Sequence, residues 1–147
     1  MTSKVKVIVC GCRMGQHPAV HGQQHGVFDY YAGNRGVIAV HDGRVIGFWA
    51  THRHNAASVD SVYTWVNPAY RRRAIARRLW LAGLRAWTPT IITAAAASAD
   101  GGKFLATMLP VCLRRGIDLR VLARGSSDET FDGAIYRMAL QRVCRSR

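Results

Sequence analysis

At Asn67-Pro68 the hydrophobic pattern changes period, and that change leaves the chain few ways to fold. Before it, Ser58–Val66 is rich in β-branched and aromatic residues and reads as a strand, which the proline ends because it cannot donate to a ladder. After a basic turn, Ile75, Leu79, Ala82 and Ala86 recur at helical spacing, with Trp80, Leu84 and Trp87 beside them and Arg77, Arg78 and Arg85 for the wet flank. Thr88-Pro89 stops this helix. A strand that passes through a tight turn into an amphipathic helix calls for a sheet with a helix packed on it.

The remaining segments fit that plan. Lys4–Cys10 reads as a strand in which Val5, Val7 and Val9 alternate with Lys4, Lys6 and Ile8. Gly11–Gly26 has little periodicity and is expected to be loop with short helical turns at most. Gly36–Val40 and Arg44–Thr51 flank His41-Asp42-Gly43 and predict a hairpin. Thr90–Ala95 predicts a short strand, and Asp100-Gly101-Gly102 opens a helix to about Arg115 that Pro110 should kink or divide. Gly116 closes that helix, and Asp118–Ala123 predicts the next strand. Gly125–Asp132 reads as polar loop, Gly133–Val143 as a last strand, and the end as a basic tail. The expected architecture is α/β or α+β: one domain over residues 1–147 around a mixed central sheet flanked by helices.

Charge bounds the partners. Twenty-one Lys and Arg face eight Asp and Glu, a formal net charge of +13, which attracts nucleic acid, anionic cofactors or acidic protein surfaces. There is no apolar run of the roughly eighteen residues a membrane span needs, and no membrane partner is expected. The N-terminus lacks the apolar stretch and cleavage site of a signal peptide, so the expected compartment is the cytoplasm. Cys10, Cys12, Cys112 and Cys144 are expected to be free thiols, since Cys10 and Cys12 sit too close along one strand for an unstrained bridge.

The chemistry is carried by Val66-Asn67-Pro68-Ala69-Tyr70-Arg71-Arg72-Arg73-Ala74-Ile75-Ala76. Free N–H groups at a helix start, small residues at 74 and 76, and surrounding arginines make an anion cradle. This stretch resembles the GNAT superfamily of N-acetyltransferases, whose signature is Gln/Arg-x-x-Gly-x-Gly/Ala; here Arg71, Ala74 and Ala76 hold those positions. Ala74 replaces the first glycine, and its methyl is tolerable if φ there is negative. By order of elements the resemblance extends from Gly36 to Ala123.

The resemblance implies acetyl-CoA as co-substrate, lying between the strands Ser58–Val66 and Thr90–Ala95. Backbone groups of Trp65 and Val66 would hold its pantetheine; Arg71, Arg72, Arg73, Ala74, Ile75 and Ala76 would hold its diphosphate. A primary amine would attack the thioester directly, with the enzyme supplying orientation and a proton acceptor. Asp60 falls where the histone-acetylating branch carries its Glu and is the candidate base, acting through a water; the alternative is a strand carboxylate paired with an arginine. Where many members carry a proton-donating Tyr ahead of a Gly-Phe pair, this chain has Cys112 ahead of Gly116-Ile117. Cys112 is the candidate acid, with a buried packing thiol as the favoured alternative and Tyr63 or Tyr136 as substitutes.

The segment between the first two strands is shorter than the two helices usual in this family, so a wall of the acceptor pocket is missing, and a homodimer partner would complete it. Cys10, Cys12, His17, His21 and His25 lack the spacing of a zinc knuckle, and no metal is expected. His52, Arg53 and His54 read as a solvated strand end, and the four tryptophans as core. The expected function is acetyl transfer to an amine on a protein or nucleic-acid-associated acceptor such as aminoacyl-tRNA. The alternative is a non-catalytic module of the same fold that grips nucleic acid or an acidic protein through its arginines.

Overall fold

The structure, a computed structural model, describes residues 4–22, 24, 26–95 and 98–122. They fall into two compact units, dividing between Thr88 and Pro89.

The first unit contains β1 (Lys6–Arg13), a 3-10 turn (Met14–Gln16), α1 (Val27–Tyr31), β2 (Arg35–His41), β3 (Arg44–Arg53), β4 (Ser58–Val66), a second 3-10 turn (Pro68–Tyr70) and α2 (Ile75–Trp87). The four strands pair antiparallel in sequence order. The β2–β3 hairpin turns on Asp42 and Gly43, whose φ values of 50° and 76° are both positive, as the tightest hairpin turns require. β2 and β3 are buried on both faces, which explains their near-continuous apolar runs.

Each face of this sheet has its own cover. Phe48 meets Phe28 and Tyr31 of α1 at centroid distances of 5.7 and 5.6 Å. On the other face Trp49 stacks on Trp80 of α2 at 4.3 Å. In α2, Ile75, Leu79, Trp80, Gly83 and Leu84 are buried and the arginines are outside, as the helical spacing requires.

The second unit contains β5 (Ile91–Ala95), α3 (Ala99–Arg114) and β6 (Asp118–Leu122), a parallel pair joined by a crossover helix. Ser98 caps α3, its Oγ accepting from the Gly101 N–H at 3.1 Å, and Gly116 at φ 71° ends it.

Two expectations are corrected. β1 runs on through Gly11 and Cys12 to Arg13, because β2 continues to pair with it. Pro110 does not divide α3, which is one uninterrupted helix. Met108, Leu109, Val111 and Cys112 are buried around the proline, and their packing offsets the lost bond. Cys10, Cys12 and Cys112 are free thiols. The expected strand Gly133–Val143, the loop before it, the basic tail, Tyr136, Cys144 and His25 lie outside the described residues.

Candidate functional site

β4 and the turn that leaves it carry most of the residues singled out in the sequence. The strand is not regular. Ala50 pairs with Tyr63 but Thr51 pairs with Ser61, so Val62 is an extra residue, a β-bulge, and it is 43% exposed. Trp65 and Val66 pair with Phe48 and Gly47 of β3, which occupies one edge of β4.

Beyond β4 the backbone makes a tight turn into α2. Arg72 and Ala74 take φ of 66° and 56°, both left-handed. The negative φ that would make a methyl tolerable at Ala74 is therefore not met: the alanine adopts the conformation that glycine adopts freely, at a cost of about 1–2 kcal/mol. Left-handed residues set between others turn successive N–H groups toward one concavity. The Arg78 N–H is the first to bond back into the helix, to the Ala74 carbonyl at 3.0 Å. Among the described residues, the amides from Arg72 to Arg77 have no backbone acceptor. These groups fit a diphosphate, with the α2 dipole behind them.

The three arginines of this turn differ in use. Arg71 folds back, its Nε donating to the Val66 carbonyl at 3.3 Å, so it braces the turn. The Arg73 guanidinium lies 5.4 Å from the Tyr70 ring centroid, a cation–π contact. Arg72 is exposed. Ile75 is buried against the sheet and Ala76 is half-buried.

Asp60 stands near the other end of β4, about 16 Å from Trp65 at ~3.3 Å per residue. Its partner is not an arginine: Asp60 Oδ2 lies 2.6 Å from His54 Nε2. The pair sits on one sheet face, because Asp60 is opposite His52 and the His54 N–H bonds the Ser58 carbonyl. That face also carries Ala50 and Phe48 of β3 and, opposite them, Tyr63 and Trp65. Tyr63 stacks on Tyr31 of α1 at 5.0 Å.

Cys112 lies in the second unit on the packed side of α3, with no exposed surface. Burial pushes its thiol up to about 11, only partly offset by Arg115, so it is protonated at neutral pH. Complete burial is what the packing alternative for this thiol requires.

A concave pocket of about 980 Å³ opens at the C-terminal end of β4. Its walls include Phe28, His41, Trp65, Asn67 and Tyr70, and not Asp60. His41 Nδ1 is 2.5 Å from the Tyr70 hydroxyl, which ties the hairpin turn to the segment before the anion cradle. Sequence reasoning missed this pair and the pocket, since both depend on cross-strand neighbours that no local pattern reveals. It also missed the bulge and the His54–Asp60 contact. Among the described residues no cluster of metal ligands occurs.

Comparison with known proteins gives one family match. The model for the acetyltransferase (GNAT) family matches residues 9–88, which spans the bulge and the cradle. No curated protein sequence matches. Among solved structures, a GNAT family acetyltransferase from Elizabethkingia anophelis with acetyl-CoA bound shares 10% identity at a TM-score of 0.43, covering 71% of this chain and 72% of that one. Aminoglycoside N-acetyltransferase AAC(6')-Iy in complex with CoA shares 19% identity at a TM-score of 0.37, covering 72% and 66%. Ard1 from Thermoplasma volcanium shares 12% identity at 0.36, covering 91% and 80%.

Proposed function

The chain belongs to the GNAT acetyltransferase family, and from that premise we propose that it transfers the acetyl group of acetyl-CoA to a primary amine, with the diphosphate held by the amides from Arg72 to Ala76. The observation that carries this reading is the pair of left-handed residues, Arg72 and Ala74, at the entry to α2. Strain of this kind clusters at ligand sites, where it orients backbone groups.

On this reading Arg72 and Arg73 supply charge-assisted bonds to phosphate, and Arg71 holds the turn to Val66. Trp65 and Val66 present backbone to the pantetheine. Asp60 serves the amine as part of the proton acceptor. The thiolate needs no dedicated acid, since it leaves as a weak base and takes a proton from the amine nitrogen or water. The net charge of +13 favours an anionic acceptor or carrier, such as an acidic protein or aminoacyl-tRNA, and disfavours free polyamines.

The test is acetyl-CoA binding by thermal shift. Acetyl-CoA at saturating concentration raises the melting temperature of the native protein, and Arg72→Glu abolishes the rise. Thiol release is then followed with lysine peptides, aminoacyl-tRNA and neamine as acceptors. Binding without thiol release would leave a non-catalytic module; no binding at all would remove the acetyltransferase reading.

A further inference from the structure

We propose that the proton acceptor for the amine is the imidazole of His54, with Asp60 as its positioning carboxylate. This rests on the assignment of the Asp60 end of β4 to the acceptor amine, and replaces a lone carboxylate with a two-residue device.

The geometry favours the imidazole over the carboxylate as the atom that meets the amine. Asp60 Oδ2 is already engaged by His54 Nε2 at 2.6 Å. A carboxylate at that distance accepts, so the Nε2 nitrogen carries the hydrogen and Nδ1 keeps its lone pair. Among the described residues Nδ1 has no hydrogen-bond partner. The His54 side chain is 52% exposed and that of Asp60 is 36%, so the imidazole is the more accessible of the two. Imidazoles as a class are also the stronger bases near neutral pH, whereas a free carboxylate is too weak to deprotonate an ammonium efficiently.

Position supports the same assignment. Asp60 lies two residues before the bulged Val62, and the bulge re-aims the strand on its way to the cradle. His54, Asp60 and Tyr63 share the face covered by α1, whose Tyr30 is 84% exposed beside the Tyr31–Tyr63 stack. An amine brought over the bulge from that side reaches an aromatic wall and then the imidazole. The groups around His54 are few. His52 on β3 presents its ring edge-on at 4.9 Å, and Asp60 faces from β4. The neighbouring Arg53 turns away, donating to the Ala56 carbonyl and lying over Trp87.

The step balances as follows. One proton of the substrate ammonium passes to His54 Nδ1, and the freed nitrogen lone pair adds to the thioester carbon. The carbon–sulfur bond breaks with its electron pair remaining on sulfur. The second nitrogen proton ends on that sulfur or in water. His54, then doubly protonated and held by Asp60, returns its proton to solvent.

The experiment has two arms. Nitrogen-15 spectra of histidine-labelled protein at pH 8.5 report the tautomer without any substrate; His54 should show a protonated Nε2 and a bare Nδ1, and Asp60→Asn should disturb that preference. Kinetics with the lysine peptide, neamine or aminoacyl-tRNA that releases thiol form the second arm. His54→Gln should lower kcat about 100-fold, with KM for acetyl-CoA unchanged, and remove the acid limb of the pH profile. Asp60→Asn should keep that limb and lose less. A protonated Nδ1, or a His54→Gln protein with the native limb, overturns the assignment. The acetyl-CoA thermal shift fails only if the acetyltransferase reading itself fails, so the two failures are separable.

Discussion

Trp49 donates its indole N–H to the Ser61 hydroxyl at 2.9 Å, directly beside the extra residue of β4. Trp80 does the same to Thr64 at 3.0 Å, on the far side of the bulge. The two indoles stack on one another with an interplanar angle of 14°. The α2 face therefore fixes both ends of the Val62–Tyr63 step, and the bulge is held by specific bonds rather than left to drift.

Ser61→Ala tests that bracket. Trp49 has no exposed surface, so its N–H would lose its acceptor with no access to bulk water. The expected cost is about 1–3 kcal/mol. Thermal unfolding should show a midpoint several degrees lower. An unchanged midpoint would mean that the indole bond adds nothing to the fold.

Gly83→Ala probes the same stack from the helix side. A Cβ at Gly83 would lie 2.7 Å from Trp49 Cζ3 and 3.0 Å from Trp87 Cζ3, and the Trp49 ring is fully buried and stacked on Trp80. Alanine gains about 1 kcal/mol of helix propensity, but overpacking against rigid rings costs about 1–3 kcal/mol. The variant should be less stable in urea, with an altered near-ultraviolet dichroism from the displaced indoles. A more stable Gly83→Ala protein would show that the rings yield freely.

Ala74 offers a gain instead of a loss. Its left-handed φ of 56° costs alanine more than it costs glycine. Ala74→Gly should hold stability level or raise it by about 0.5 kcal/mol, the relieved strain exceeding the extra freedom of the unfolded chain. Ala74→Val should lose about 2 kcal/mol and with it the acetyl-CoA thermal shift, because a β-branched residue resists this conformation. If Ala74→Val binds acetyl-CoA as the native protein does, the cradle does not depend on that backbone shape.

What the sequence made legible follows from range. β4 and α2 were read at their observed bounds, because period and proline punctuation are local. The β2–β3 hairpin was read from its turn residues for the same reason. α1 was not read: five residues carry no periodicity, and it is fixed by Phe28 and Tyr31 packing on Phe48. Asp60 was placed among functional candidates by its distance from the cradle motif, but His54 was not seen as its partner. Twenty-one basic residues made an arginine the alternative partner weighed for it, whereas the β3–β4 register delivers His54. Pro110 was overweighted because its cost is local and the packing that offsets it is tertiary.

The buried thiols should make the protein sensitive to alkali. Cys10 and Cys112 are both raised from an ordinary value of 9.0 to about 11, in each case chiefly by burial; Cys12 adds to the shift at Cys10, and Arg115 opposes it at Cys112. The unfolded chain releases these protons first, so the stabilising contribution is complete below pH 9 and is lost as pH rises toward 11. Each thiol should account for about 2 kcal/mol over that window. Urea unfolding at pH 8, 9 and 10 should show the native protein weakening faster than Cys10→Ala/Cys112→Ala. Parallel decline of the two proteins would mean that the thiols ionise as readily folded as unfolded. The single variant Cys112→Ala should keep kcat within about threefold, because a true general acid would cost 100-fold or more. A loss of that size, without loss of acetyl-CoA binding, would return Cys112 to the reaction.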